Sequence, residues 1–235
     1  MCARLTLSVA CMLGLLLGSA GEALGQKTVK KPAGAKRFVD VWTNPNLDYD
    51  LVIRGDGLCS HVRRDGTIGA NGQWQASGNA GTLIVETGKQ LFNRFQMLLV
   101  HDDVLVLQER LEDGGSTGDG LVLFRKGYDW AGKNANKVAA DKKANQLVVG
   151  KWTHPNSQRI FEADKQGGWI ETRTNGGEPI PAAWSACDDG TFWVEYENGV
   201  KMRAWATADG QLALQGFSGT TGEMQGDGML VMRGK

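Results

Sequence analysis

The sequence has few of the residues that make metal and cofactor sites recognisable. It contains three histidines in 235 residues, and no two of them have the i, i+2 or i, i+4 spacing of a compact zinc motif. Its glycines lie between short apolar runs and not in front of helical segments, so no phosphate-binding or dinucleotide-binding loop is indicated. We therefore expect no metal site and no cofactor.

A net charge is also absent. The 26 lysines and arginines equal the 26 aspartates and glutamates. A chain without excess positive charge has no general attraction to nucleic-acid phosphates, and we expect no nucleic-acid partner.

Proline is scarce, with five residues against 33 glycines, and this balance favours short ordered segments joined by tight turns.

Long apolar runs are missing except near the N-terminus, where one follows Arg4. Small residues then provide two cleavage positions, after Ala20 or after Gly25, and the whole segment predicts a signal peptide. A lipoprotein anchored through Cys11 is the less favoured alternative, because the apolar run continues past that cysteine. We expect an exported protein, periplasmic or secreted, with no membrane span in its mature form.

Removal of that signal peptide would leave two cysteines, Cys59 and Cys187. In an oxidising compartment they could form one disulfide. The alternative is two buried, unpaired thiols. The sequence leaves the choice open, because it does not give the distance between them.

The chain contains two copies of one unit of about a hundred residues. Three matches keep the same order in both copies: Trp42-Thr43-Asn44-Pro45-Asn46 with Trp152-Thr153-His154-Pro155-Asn156, Trp74 with Trp184, and Gly118-Asp119-Gly120 with Gly226-Asp227-Gly228. Their offsets are 110 (152 − 42), 110 (184 − 74) and 108 (226 − 118) residues. Ordered matches along most of the chain indicate an internal duplication.

Each copy shows about eight short runs of β-type residues separated by Gly, Asn and Asp. This density of strands is typical of a small closed barrel, because closure removes the edges that an open sheet would expose. We predict an all-β fold of two tandem antiparallel up-and-down β-barrels. The predicted organisation is a signal peptide at 1–25, a basic disordered arm at 26–37, a first barrel at 38–126, a linker with room for a short helix at 127–146, and a second barrel at 147–235.

The register of one hairpin can be predicted from the residues that flank Glu197-Asn198-Gly199. A three-residue loop, with Gly199 in the left-handed conformation, makes one face of the hairpin wholly apolar, whereas a two-residue turn mixes apolar and charged residues. The predicted pairs are Phe192–Ala204, Trp193–Arg203, Val194–Met202, Glu195–Lys201 and Tyr196–Val200.

The other face of this hairpin carries Trp193, Arg203 and Trp205. One interpretation is a stacking surface for a flat ligand such as a sugar ring, with Arg203 adding a cation–π contact. The other, which we favour, is that the two copies pack here, or that the linker and its Trp130 cover the patch. The neighbouring Gly-Thr match, with its offset of 109 (190 − 81), predicts Ile84 in place of Trp193 in the first copy.

The second copy opens with Gly150-Lys151-Trp152 and closes with Arg233. This resembles lipocalins and related calycin barrels, in which a G-x-W tryptophan on the first strand packs beneath an arginine from the end of the barrel. The first copy keeps Trp42 and Arg125 but has Asp40 in place of the glycine. The resemblance implies a barrel whose mouth binds small apolar molecules. The predicted structural signature comprises Trp42, Trp74, Arg125, Trp152, Trp184 and Arg233.

No catalytic residue is predicted. Gly114-Gly115-Ser116-Thr117-Gly118 fits G-x-S-x-G, but a nucleophile elbow needs a helix after its serine, and this string joins two β-type runs. We expect an exported, non-catalytic binding or envelope-associated protein whose ligand is a small apolar molecule or a saccharide. The alternatives are a hydrolase with its site between the copies, and a purely structural or inhibitory module. The sequence indicates no oligomeric state.

Overall fold

The structure, a computed structural model, describes residues 34–86, 92–110, 116–154, 157–207 and 210–234. The predicted signal peptide and residues 26–33 of the predicted arm lie outside the described residues. Within the described ranges, no helix has the length and apolar character needed to cross a membrane.

Eight antiparallel strands form the first barrel, which follows a short 3-10 helix at Ala35–Phe38. The strands are β1 (Asp40–Thr43), β2 (Tyr49–Ile53), β3 (Leu58–Arg63), β4 (Ile68–Ser77), β5 (Ala80–Glu86), β6 (Phe92–His101), β7 (Val104–Arg110) and β8 (Ser116–Arg125). Each strand pairs with the next, and β1 also pairs with β8, so the sheet closes on itself.

The second barrel has the same order of eight strands. A two-residue strand β9 (Lys137–Val138) and a helix α1 (Lys142–Val148) precede it. Its strands are β10 (Gly150–Thr153), β11 (Arg159–Ala163), β12 (Gly168–Arg173), β13 (Ile180–Cys187), β14 (Phe192–Tyr196), β15 (Val200–Ala206), β16 (Gln211–Ser218) and β17 (Met224–Arg233). Pairing of β10 with β17 and of β12 with β13 closes the sheet. The predicted fold, two tandem antiparallel barrels of eight strands, is confirmed.

The same contact closes one end of each barrel. In the second barrel the indole N–H of Trp152 donates to the Val148 carbonyl at 2.8 Å, and the guanidinium of Arg233 lies 4.6 Å from the indole centroid. In the first barrel Trp42 makes the equivalent hydrogen bond, and Arg125 lies 4.8 Å from its ring. The tryptophan and arginine that carry the resemblance are therefore in contact in both copies.

The second pair of repeated tryptophans also occupies equivalent positions. The indole N–H of Trp74 donates to the Arg54 carbonyl, and that of Trp184 donates to the Asp164 carbonyl, both at 2.8 Å. Each hydrogen bond joins a strand to the turn that begins the preceding strand of the same barrel. The conserved offset of these tryptophans thus reflects a shared structural contact.

The predicted hairpin register is confirmed between β14 and β15. The four cross-strand pairs from Phe192–Ala204 to Glu195–Lys201 are those predicted. Gly199 has a φ of +82°, the left-handed conformation that the three-residue loop requires.

The predicted equivalence of Trp193 with Ile84 is wrong. Val194 lies opposite the repeated tryptophan of β13, and Leu83 lies opposite the repeated tryptophan of β4. Thr82, which precedes Leu83, is therefore the counterpart of Trp193. The turns that join these strands differ in length between the copies, so the Gly-Thr match does not mark equivalent positions.

The two barrels pack through the outer faces of equivalent strands, β6 to β8 in the first and β15 to β17 in the second. One apolar cluster, here called the seam, spans the junction. Its buried members are Leu98, Val100, Val104, Val106, Val122 and Phe124 from the first barrel, and Trp205, Ala213, Phe217, Met224 and Leu230 from the second. Because matching strands supply both sides, the seam resembles the interface of a two-fold dimer.

Glycine allows β17 to approach β8 closely at the seam. A Cβ on Gly228 would lie 2.4 Å from Val122 Cγ2, which is too close, whereas a Cβ on the equivalent Gly120 would lie 3.6 Å from the Leu230 nitrogen, an ordinary contact distance. Val122 and Leu230 are also equivalent, so matching parts of β8 and β17 meet at the seam. The φ angles of Gly120 and Gly228 are +96° and +88°, which also disfavours a side chain. The repeated Gly-Asp-Gly string therefore marks the contact between the barrels.

Both cysteines of the barrels are free and buried, Cys59 on β3 and Cys187 on β13. Burial raises the pKa of the Cys59 thiol to about 11, so this thiol stays protonated at neutral pH. Of the two alternatives left open by the sequence, the structure contains the unpaired thiols.

We expect Gly228→Ala to destabilise the protein more than Gly226→Ala. Both glycines have a positive φ, which costs an alanine about 1–2 kcal/mol. A Cβ at Gly226 meets open space, whereas a Cβ at Gly228 collides with Val122, and such overpacking adds about 1–3 kcal/mol. Urea denaturation of the two variants measures the difference. Equal losses would contradict the close approach of β8 and β17.

Candidate functional site

The end of the second barrel opposite α1 is open and holds the candidate site. α1 covers the other end, where Val148 is part of the barrel core. The open end contains a cavity of about 390 Å³, here called the cup, which lies within the size range of small-molecule pockets. Its lining residues come from β11 to β17, so most of the barrel wall contributes to it.

The inner part of the cup is apolar. Met202, Leu214 and Met229 line it and belong to the hydrophobic core of the barrel. Val200 and Ile180 line it at the first residues of their strands, nearer the rim. Methionine side chains are flexible and polarisable, so this floor can adapt to ligands of different shape.

A buried carboxylate forms the polar part of the wall. Glu171 is 3% exposed. Arg159 Nε donates to its Oε1 at 2.7 Å, and the Tyr196 hydroxyl donates to its Oε2 at 3.0 Å, so both oxygens are satisfied. Burial and then the negative charge of Glu171 raise the pKa of Tyr196, which keeps its hydroxyl protonated and able to donate.

Two arginines face each other on the same wall. Arg159 and Arg173 are direct cross-strand partners in β11 and β12, and both line the cup. Arg159 uses only Nε to bind Glu171, and its terminal nitrogens have no hydrogen-bond partner among the described residues. Arg173 is exposed and makes no ion pair with any described residue. The wall therefore presents unpaired N–H donors towards the mouth.

The mouth of the first barrel has different chemistry. The cross-strand pair Tyr49–Arg63 takes the place of the arginine pair, and His61 takes the place of Glu171. The rings of Tyr49 and His61 stack with centroids 4.5 Å apart. Burial lowers the pKa of His61, which favours its neutral form. The arginine pair with its buried carboxylate therefore belongs to the second barrel alone.

The patch predicted from the hairpin lies at the seam and not at the cup. Arg203 and Trp205 are each 1% exposed, and Trp193 packs at the edge of the seam. The guanidinium of Arg203 donates to the carbonyls of Asp129 and Trp130, the latter at 3.0 Å. These residues therefore lie where the second interpretation places them, in contact with the other copy and with the linker. A flat ligand has no access to the buried Trp205 ring.

The cup is not apparent from the sequence. Phe161 on β11 and Trp169 on β12 are buried in the barrel core. By strand alternation, Arg159, Glu171 and Arg173 lie on the same inner face. Charged residues at inward positions of a barrel indicate a possible site, because such residues are rarely buried without a partner or a function. That signal becomes readable only once the register of β11 and β12 is known.

Among the described residues, no three His, Cys, Asp or Glu side chains lie close enough together to hold a metal ion. No protein-family model matches the chain, and no curated protein shows significant similarity to it. The resemblance to lipocalins therefore rests on the barrel architecture and on the Trp–Arg contact at each closed end.

We expect Trp205→Ala to lower the free energy of unfolding by about 3–5 kcal/mol, because it removes a fully buried ring from the seam. Trp193→Ala, on the same face but at the partly exposed edge, serves as the matched control and should cost less. Urea denaturation followed by circular dichroism measures both. A loss for Trp205→Ala no larger than that for its control would show that the seam does not stabilise the fold.

Glu171→Gln tests the buried ion pair. We expect the free energy of unfolding to fall by about 3 kcal/mol. This is the lower end of the range for a broken buried ion pair, because the Arg159 side chain keeps some contact with water. Glu162→Gln is the control, since Glu162 is exposed and its pair with Lys151, at 3.4 Å, should contribute only about 0–1 kcal/mol. Thermal and urea unfolding provide the comparison. Equal effects would mean that the ion pair of Glu171 contributes no more than a surface pair.

Proposed function

We propose that this chain is an exported, non-catalytic binding protein that holds a small apolar molecule in the cup of the second barrel. The observation that carries the proposal is the open cavity with an apolar floor in a barrel whose other end is closed. A ligand entering this cavity removes its apolar surface from water, which contributes about 25 cal/mol per Å².

The N-terminal segment supports the export part of the proposal. Its single positive charge, apolar run and small-residue cleavage positions after Ala20 or Gly25 have the pattern of a secretory signal. Cleavage at either position would leave the first described helix, Ala35–Phe38, and both barrels intact.

The lining of the cup favours an apolar ligand over a saccharide. Sugar rings commonly stack on exposed aromatic side chains. Trp205 is buried in the seam, and Tyr196 is the aromatic residue that lines the cup, with its hydroxyl engaged by Glu171. The inner surface offers aliphatic and thioether groups instead.

The seam weakens the alternative of a hydrolase with its site between the copies. Apolar side chains such as Phe124, Trp205 and Leu230 occupy the contact between the barrels. A hydrolytic site needs converging carboxylates or histidines and access for water, and this apolar cluster supplies neither.

We expect Val200→Trp to abolish binding of Nile red, an uncharged fluorescent dye, because an indole at the rim would fill the entrance of the cup. Asn93→Trp is the matched control, since Asn93 is the equivalent residue at the mouth of the first barrel (offset 107, 200 − 93). Dye titration measures binding, and circular dichroism checks that both variants are folded. A wild-type protein that does not bind the dye, or equal binding by both variants, would contradict the assignment of the site.

A further inference from the structure

We propose that the ligand of the cup carries an oxyanion, such as a carboxylate or a phosphate monoester, which Arg159 and Arg173 bind at the mouth. This inference rests on the proposed function and goes beyond it by specifying the polar end of the ligand. The ligand class is then a single-chain amphiphile with an acidic head.

The two arginines occupy neighbouring positions at the mouth of the cup. Arg159 and Arg173 are direct partners in the β11–β12 register, and both side chains line the cup. Like charges at directly opposite positions destabilise a sheet. An anion between the two guanidiniums removes this repulsion.

The two guanidiniums have unused N–H donors. Among the described residues, Arg159 finds a hydrogen-bond partner only for Nε, which donates to Glu171, and both oxygens of that carboxylate already accept hydrogen bonds. The terminal nitrogens of Arg159 and the whole guanidinium of Arg173 have no hydrogen-bond partner among the described residues. Guanidinium groups bind carboxylate and phosphate oxygens in pairs of parallel hydrogen bonds, which matches this arrangement.

The two acidic residues that line the cup do not supply that anion. Glu171 is buried and paired, as described above. Asp227 also lines the cup, but its charge acts on Tyr49 of the first barrel. The pKa of Tyr49 is raised by burial, then by the charge of Asp48, and then by that of Asp227. Within the described chain Asp227 pairs with neither arginine. The formal charges lining the cup cancel, so the preference arises from the placement of unpaired donors and not from net charge.

The polar and apolar parts of the cup lie at different depths. The arginines lie at the mouth, where β11 begins and β12 ends, while Met202, Leu214 and Met229 form the floor. A head group bound by the arginines leaves its chain directed towards that floor. In the first barrel Arg63 faces Tyr49 instead of a second arginine, so the equivalent mouth lacks the paired guanidiniums.

The test is displacement of Nile red by a series of lauryl compounds below their micelle concentrations. Laurate and monolauryl phosphate carry the two head groups, lauryl alcohol is the neutral analogue, and inorganic phosphate tests the head alone. We expect laurate or lauryl phosphate to bind at least about tenfold more tightly than the alcohol, and inorganic phosphate not to displace the dye. Comparison of laurate with lauryl phosphate distinguishes a fatty-acid source from a phosphate-monoester source.

Variants of Arg173 connect this preference to the residue. We expect Arg173→Gln to reduce the ratio of laurate to lauryl-alcohol affinity severalfold, and Arg173→Glu to bind laurylamine more tightly than the wild type does. Arg63→Gln, at the equivalent position of the first barrel, is the control and should leave the ratio unchanged.

The possible failures are distinguishable. Equal affinity for laurate and lauryl alcohol, or an unchanged ratio in Arg173→Gln, would overturn the oxyanion inference while the apolar cup remained. Displacement by inorganic phosphate alone would overturn the amphiphile class. Absence of Nile red binding by the wild type would overturn the proposed function itself.

Discussion

The close contact of β8 with β17 is the constraint on which the rest of the molecule depends. Gly228 removes the side chain that would hold these strands apart, and apolar residues on both sides then exclude water. The contact uses the same strands of each copy, so one pattern of outward apolar residues serves both barrels. It also determines which outer surfaces are available to other molecules, because aromatic rings that would be exposed on a single barrel are covered here.

The two copies share their closed ends and differ at their open ends. Trp42 with Arg125, and Trp152 with Arg233, make the same contact in both barrels, which is expected of a framework that each needs in order to close. At the mouths, a Tyr–His stack in one copy corresponds to an Arg–Glu–Tyr network in the other. Duplication allows this division, because one copy can keep the framework while the lining of the other changes.

Much of the fold could be predicted from local patterns. Repeated tryptophans at constant offset indicated the duplication, and the apolar face of the β14–β15 hairpin determined its register, because a shift of one residue would have exposed that face. The role of the other face of that hairpin was harder to predict, since its environment depends on the other barrel. The error at Ile84 had a similar origin, because a turn of different length changed the offset without changing the strands.

The cup could not be predicted from any single segment. Its lining combines residues from seven strands, and Arg159 and Arg173 are separated by a turn whose length alone does not reveal that they face each other. The Gly-Asp-Gly string was interpretable as a generic turn from its composition, whereas its role depends on a strand more than a hundred residues away. Long-range register and the contact between barrels therefore carried the information that local reasoning lacked.

The position of the closing strands has a consequence for synthesis. Each barrel closes only when its last strand pairs with its first, and in the second barrel that strand ends at Arg233, 108 residues after Arg125 (233 − 125). The first barrel is complete once Arg125 has been made, while its partner at the seam does not yet exist. During that interval the outer faces of β6 to β8 expose Val104, Val106 and Phe124 to water. A nascent chain held unfolded until β15 to β17 have been made would avoid this period of exposed apolar surface.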